Sequence, residues 1–184
     1  LSFGLEHGNP EFRTKWLKRR MTNEMIVKNF GIVNEVGIPF SVNNIVGFPH
    51  ETRELAFDTV YLNKEFECND RSAYVFTPFQ GTPLRAECDR LGFTQPDQIV
   101  QSSVPERTAL DMPQFPRSEV LGLVKTFNMY VHFDEVRWPE IRKAEGNSPE
   151  AKERYEALKA EFVSTFWDED DTTSFEEAAT AFSM

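Results

Sequence analysis

An α/β fold is the class this sequence predicts: three βα units with parallel strands, followed by a mostly helical extension. Three observations predict it. Short apolar runs alternate with amphipathic helical patterns from Leu1 to Gly92, as a parallel sheet with crossover helices requires. Each apolar run is followed by a Gly-x-Pro step, Gly8-Asn9-Pro10, Gly47-Phe48-Pro49 and Gly81-Thr82-Pro83, spaced at about one βα unit of roughly 35 residues. From Phe93 the alternation stops and prolines accumulate.

The elements follow in order. Leu1 to Leu5 is a short apolar strand that opens without a lead-in, which predicts a fragment of a longer protein. Thr22 caps a helix running to Val36, with Ile26, Phe30, Val33 and Val36 at helical spacing, and Gly37 ends it. Ile38 to Val46 is the second strand. A helix over 52–66 places Leu55, Thr59, Leu62 and Phe66 on one stripe. Arg71 to Thr77 is the third strand, and Pro83 to Leu91 a short helix closed by Gly92. Residues 93–116 read as a connector. Arg117 to Phe133 is helical and apolar over a wide face, and Ser148 caps a last helix with Pro149 at its first position. That helix carries Ala151, Tyr155, Leu158, Phe162 and Phe166 on one stripe, and the acidic close from Asp168 reads as a solvated tail.

Composition removes several function classes. The formal net charge of −10 opposes general nucleic-acid binding, because phosphate attraction needs a basic field. No run approaches the roughly 18 apolar residues of a membrane span, and no signal peptide opens the chain, so a cytoplasmic location is expected. The two cysteines, Cys68 and Cys88, cannot form a Cys-rich metal motif by themselves. No GxGxxG, Walker loop, nucleophile elbow or zinc motif is present, which leaves hydride transfer, phosphoryl transfer and serine hydrolysis without support. The 17 phenylalanines point to a well-filled core.

The candidate site is the set of polar residues at strand ends, since ligands of parallel sheets bind at the carboxyl edge. Glu6 ends the first strand, Asn43 and Asn44 lie near the end of the second, and Thr77 ends the third. A carboxylate, two carboxamides and a hydroxyl suit a polar small molecule bearing hydroxyls and an amine. The bland alternative is that Glu6 and Asn43 satisfy loop backbone groups. The basic cluster Arg13, Lys15, Lys18, Arg19 and Arg20 is open to three readings: a solvated helix face, a nucleic-acid patch, or one arginine turned inward as a carboxylate clamp. His7 and His50 follow strand ends, which leaves two readings: they line the mouth, or they are loop histidines without a role. With His132 they lack metal-ligand spacing.

Four segments read together carry a resemblance: Gly4-Leu5-Glu6-His7-Gly8-Asn9, Leu17-Lys18-Arg19-Arg20-Met21-Thr22, Asn44-Ile45-Val46-Gly47-Phe48-Pro49-His50-Glu51-Thr52, and Thr77-Pro78-Phe79-Gln80-Gly81-Thr82-Pro83-Leu84. Residues 1–92 resemble the second half of a radical S-adenosylmethionine (SAM) enzyme core, closest to the subgroup with a cobalamin-binding domain ahead of the core. Leu110-Asp111-Met112-Pro113 and Phe127-Asn128-Met129-Tyr130 resemble that subgroup's extension. The resemblance implies strands four to six of a partial (βα)6 TIM-like barrel, with SAM, a [4Fe–4S] cluster and cobalamin as cofactors. The cluster's CxxxCxxC loop would lie upstream of Leu1.

The same resemblance implies that Glu6 faces the SAM methionine or ribose, Arg19 pairs with its carboxylate and Asn43 bonds the ribose hydroxyls. Phe76 and Thr77 would pack near adenine, with main-chain groups reading its edge. His7 stands where the family usually has serine, and His50 where it usually has glycine. The expected organisation is a half-barrel over 1–92, a connector over 93–116 and a helical extension with an acidic tail over 117–184. The expected partners are a small-molecule substrate and the upstream half of the same chain. The alternative is a non-catalytic βα scaffold that binds a protein partner.

Overall fold

The three apolar runs pair as one parallel sheet in the order β1–β2–β3, with β1 at Ser2–Glu6, β2 at Ser41–Val46 and β3 at Asp70–Val75. The structure, a computed structural model, describes residues 1–95, 97–100 and 110–166. The acidic close from Asp168 and residues 96 and 101–109 of the connector lie outside the described residues. β2 begins at Ser41 rather than Ile38, because Pro39 has no N–H to give a ladder. A β-bulge between Gly4 and Glu6 bends the end of β1, and Glu6 takes a φ of 71° there.

The helices start where side-chain caps allow. Asn9 accepts the Phe12 N–H at the head of α1 (Pro10–Trp16), Thr22 the Met25 N–H at α2 (Asn23–Glu35), Thr52 the Leu55 N–H at α3 (Arg53–Lys64) and Thr82 the Arg85 N–H at α4 (Pro83–Arg90). Each cap satisfies a donor that the first helical turn leaves unpaired. α1 is a helix that the connection after β1 did not suggest, although Asn9 followed by Pro10 is a helix-start pattern. The Gly-x-Pro steps therefore differ. Pro10 and Pro83 open helices directly, whereas Pro49 lies in a loop and α3 waits for Thr52.

The extension folds as α5 (Arg117–His132), a short 3₁₀ turn (Glu135–Arg137), α6 (Trp138–Ala144) and α7 (Pro149–Phe166). α6 is a second helix absent from the sequence expectation. α5 lies against α3 and β3 and shares the main apolar cluster with the βα units. Phe12, Val46, Phe48, Val60 and Phe76 from the first part pack in that cluster with Val120, Leu123, Phe127, Leu158 and Phe162. A second cluster, of Leu5, Ile26, Phe30, Phe40, Val42, Leu62 and Phe66, fastens α2 and α3 to the sheet. The sheet is α/β and parallel, as expected, and compatible with a partial βα barrel.

Candidate functional site

Side chains alternate across a strand, and directly paired residues of parallel strands share a face. Along β2, Val42, Asn44 and Val46 are buried toward the helices while Ser41, Asn43 and Ile45 are half-buried on the other side. The register carries that second face to Ser2 and Gly4 of β1 and to Asp70, Ser72 and Tyr74 of β3. It is polar, with Tyr74 nearly half exposed.

Glu6 belongs to the same face. A methyl group built at Gly4 would collide with the Glu6 carboxylate, so that carboxylate lies over the Gly4 backbone. Arg19 reaches across from the segment after α1. Its Nη2 lies 3.1 Å from Glu6 Oε1 and its Nη1 donates to the Gly4 carbonyl at 2.6 Å. Asn43 donates to Ser2 Oγ at 3.0 Å. Glu6, Arg19 and Asn43 are thus brought to one surface, and Arg19 is the member of the basic cluster that reaches the Glu6 carboxylate. Arg13 turns inward, to the backbone: wholly buried, it donates to the His7, Gly8 and Met21 carbonyls, and burial lowers its pKa.

Two expectations are corrected. Asn44 does not share the site with Asn43, because the pleat turns it to the helix side. There it is fully buried and exchanges hydrogen bonds with Asn63. His7 does not line the mouth. It is fully buried, stacks on Phe12 at 4.2 Å, accepts the Asn9 N–H on Nδ1 and faces Glu51 Oε1 with Nε2 at 3.0 Å. Glu51, equally buried, accepts the Gly47 and Phe48 N–H groups on its other oxygen. The two residues brace the ends of β1 and β2 from within. Phe76 is buried against Phe48, ring centroids 4.9 Å apart, and its N–H is taken by the Val46 carbonyl. Thr77 is half-buried, and its carbonyl accepts the Phe79 N–H.

Gly47 has a φ of 93°, and a Cβ there would come within 2.8 Å of Val120 on α5. Two requirements therefore meet at the turn after β2: a left-handed backbone and close approach of the extension. Next to it, His50 stacks on Trp16 at 4.3 Å and places Nε2 2.5 Å from Glu87 Oε1. Arg90 first, and His50 second, hold the Glu87 carboxyl down to about 2.

Sequence reasoning missed Gly4, Ile45 and Tyr74. Counting by two from Asn43 and Ser72 would have found the latter pair. Gly4 needed the bulge. Neither cysteine fits a cluster ligand: Cys68 donates to the Asp70 carbonyl, Cys88 is wholly buried, and burial pushes their thiols up to about 11 and about 12. Among the described residues no group of three or more His, Cys, Asp and Glu could hold a metal ion. No helix among the described residues is long and apolar enough to cross a membrane.

No protein-family model matches the chain. It is 37% identical over 82 residues to tRNA-2-methylthio-N(6)-dimethylallyladenosine synthase of Halalkalibacterium halodurans, a match covering 43% of this chain and 15% of that protein. Against the protein of the same name from Anoxybacillus flavithermus it is 29% identical over 116 residues, covering 60% of this chain and 22% of the relative. The Shouchella clausii protein of that name is 32% identical over 82 residues, 43% of this chain and 15% of its own length. The chain therefore spans less than a quarter of the curated relatives it matches. This similarity supports the radical SAM superfamily, and not its cobalamin-binding subgroup.

Proposed function

We propose that this chain is the second half of a radical SAM enzyme core and that its open sheet face forms one wall of the SAM site. The observation that carries the reading is the Glu6–Arg19 pair, which presents opposite charges 3.1 Å apart beside Asn43. An α-amino-acid head carries an ammonium and a carboxylate at similar spacing, so it can exchange places with the internal pair charge for charge. Arg19 takes the carboxylate with its planar fork, Glu6 the ammonium or a ribose hydroxyl, and Asn43 the ribose. Phe76 acts from below, holding Phe48 and the Gly47 turn in place, and Thr77 borders adenine at the rim. When bound, SAM supplies the sulfonium carbon–sulfur bond that the superfamily cleaves.

The [4Fe–4S] cluster has no fitting ligands among the described residues. We assign its cysteines to an upstream half of the same polypeptide. That half would pair with the free edge of β1 and cover the exposed stripe Met25, Ile32 and Val36 along α2. The relatives are named for a tRNA product. With its net charge of −10 this chain is poorly suited to phosphates, and the substrate proposed for it is a small molecule handled in the cytoplasm.

The test is anoxic reconstitution of the intact polypeptide with iron and sulfide, followed by reduction in the presence of SAM. The expected products are 5′-deoxyadenosine and methionine, or a methylated substrate. Absence of both, with no cluster signal, overturns the reading and favours a partner-binding scaffold. In the same protein Arg19→Ala is expected to weaken SAM binding at least tenfold, as loss of a charge-assisted hydrogen bond of about 1.5–3 kcal/mol implies.

A further inference from the structure

Each of the three connections that leave the sheet contributes one side chain to a single contact chain. Trp16 ends α1 after β1, His50 lies in the loop after β2, and Glu87 is on α4 after β3. The imidazole lies flat on the indole, 4.3 Å between centroids and 18° between planes, and its Nε2 meets Glu87 Oε1 at 2.5 Å. His50 holds a φ of 69°, a conformation that a non-glycine residue keeps only when its surroundings require it. The groups around it are charged. Lys15 Nζ lies 4.8 Å over the Trp16 ring, and Arg90 binds both Glu87 oxygens at 2.6 and 2.8 Å. None of these residues belongs to the Glu6–Arg19–Asn43 surface.

We propose that Trp16, His50 and Glu87 form a proton-dependent clasp across the strand-end mouth, closed when His50 is protonated and loosened when it is neutral. An imidazolium gains twice: it makes a charge-assisted bond to Glu87 and a cation–π contact with Trp16. The neutral ring keeps an uncharged hydrogen bond of roughly half the strength and loses the second term. Glu87 stays ionised throughout the range in which histidine titrates, because Arg90 and His50 hold its carboxyl down to about 2. The segment released is the one that leads from Trp16 to Arg19, so the clasp couples protonation to the mobility of the mouth. The inference rests on the fold and goes beyond the SAM reading.

Tryptophan fluorescence of the chain tests it, since an imidazolium stacked on indole quenches it. The Trp16 signal is isolated by subtracting Trp16→Phe, which leaves Trp138 and Trp167. The expected result is a rise of that signal as pH is raised. The rise is absent in His50→Gln, and in Glu87→Gln it moves to lower pH, where the imidazolium has lost its counter-charge. His50→Gly keeps the left-handed backbone without strain and so controls for misfolding. It too is expected to lose the pH step with unchanged circular dichroism. Hydrogen exchange over residues 10–20, corrected for the intrinsic pH effect, should be slower below the fluorescence midpoint than above it. A flat Trp16 signal, a step that survives in either His50 variant, or exchange that does not follow the step overturns the clasp.

Discussion

The smallest residue in the proposed site is also among its most constrained. At Gly4 the missing side chain leaves the space in which the Glu6 carboxylate lies, and Arg19 binds the Gly4 carbonyl beside it. Gly4→Ala is therefore expected to displace Glu6 and weaken SAM binding in the intact polypeptide at least tenfold. The melting temperature should barely change, because Gly4 is exposed; an unaltered affinity would remove Glu6 from the site. His132 makes a different prediction. Burial first, then Arg71 and Lys64, hold it down to about 4, below the roughly 6.5 of an unfolded histidine. Between those values the unfolded chain binds a proton that the folded chain refuses. Stability is thus full above about pH 6.5 and falls as pH drops toward 4. With partial solvent access the loss is about 1–2 kcal/mol. Urea unfolding at pH 7 and pH 4.5 should show it in the wild type and lack it in His132→Gln.

At the scale of elements, what holds the extension on the βα units is polar as well as apolar. Arg53 at the head of α3 donates to both Glu145 oxygens, at 3.0 and 2.5 Å, and Tyr130 of α5 donates to Oε1 at 2.6 Å. Arg142 of α6 adds a bond to Oε2 at 2.6 Å. Glu145 is 7% exposed, so the carboxylate needs these partners. Glu145→Ala leaves Arg53 only the longer contact to Glu119, at 3.8 Å, and is expected to cost about 3 kcal/mol, against about 1.5 for Tyr130→Phe, which removes one bond to a charged acceptor. Equal losses in urea titrations would mean that packing, not the charge network, sets the junction. Lys64 donates to the Val131 and Phe133 carbonyls at the end of α5, tying a second point of α3 to the extension.

At the scale of the molecule, one core is shared between the βα units and the helical extension. The main cluster draws Val46, Phe48 and Phe76 together with Val120, Phe127 and Phe162. Each fully buried side chain of this kind contributes about 1.5–3 kcal/mol, so neither part can lose the other cheaply. The chain is expected to unfold in one transition by circular dichroism and by tryptophan fluorescence alike. A piece ending at residue 92 should bind a hydrophobic dye and show no cooperative melt. Two separated transitions would show that the extension is an independent unit.

Period and punctuation are local, and whatever depends on them could be read along the chain. The three strands, the cap at Thr22, the stop at Gly37, and the placing of Glu6 and Asn43 on the sheet were all legible, while Arg19 stood out from its basic cluster only through the family resemblance. Short helices such as α1 and α6 were not, since two turns carry too little apolar periodicity to stand out. Tertiary structure alone decided which side chains meet. The bulge after Gly4 swings Glu6 onto Arg19, the pleat parts Asn43 from Asn44, and the close of α1 over β1 and β2 buries His7 against Glu51. These outcomes depend on half-turns of backbone and on contacts between residues tens of positions apart, for which spacing along the chain holds no record.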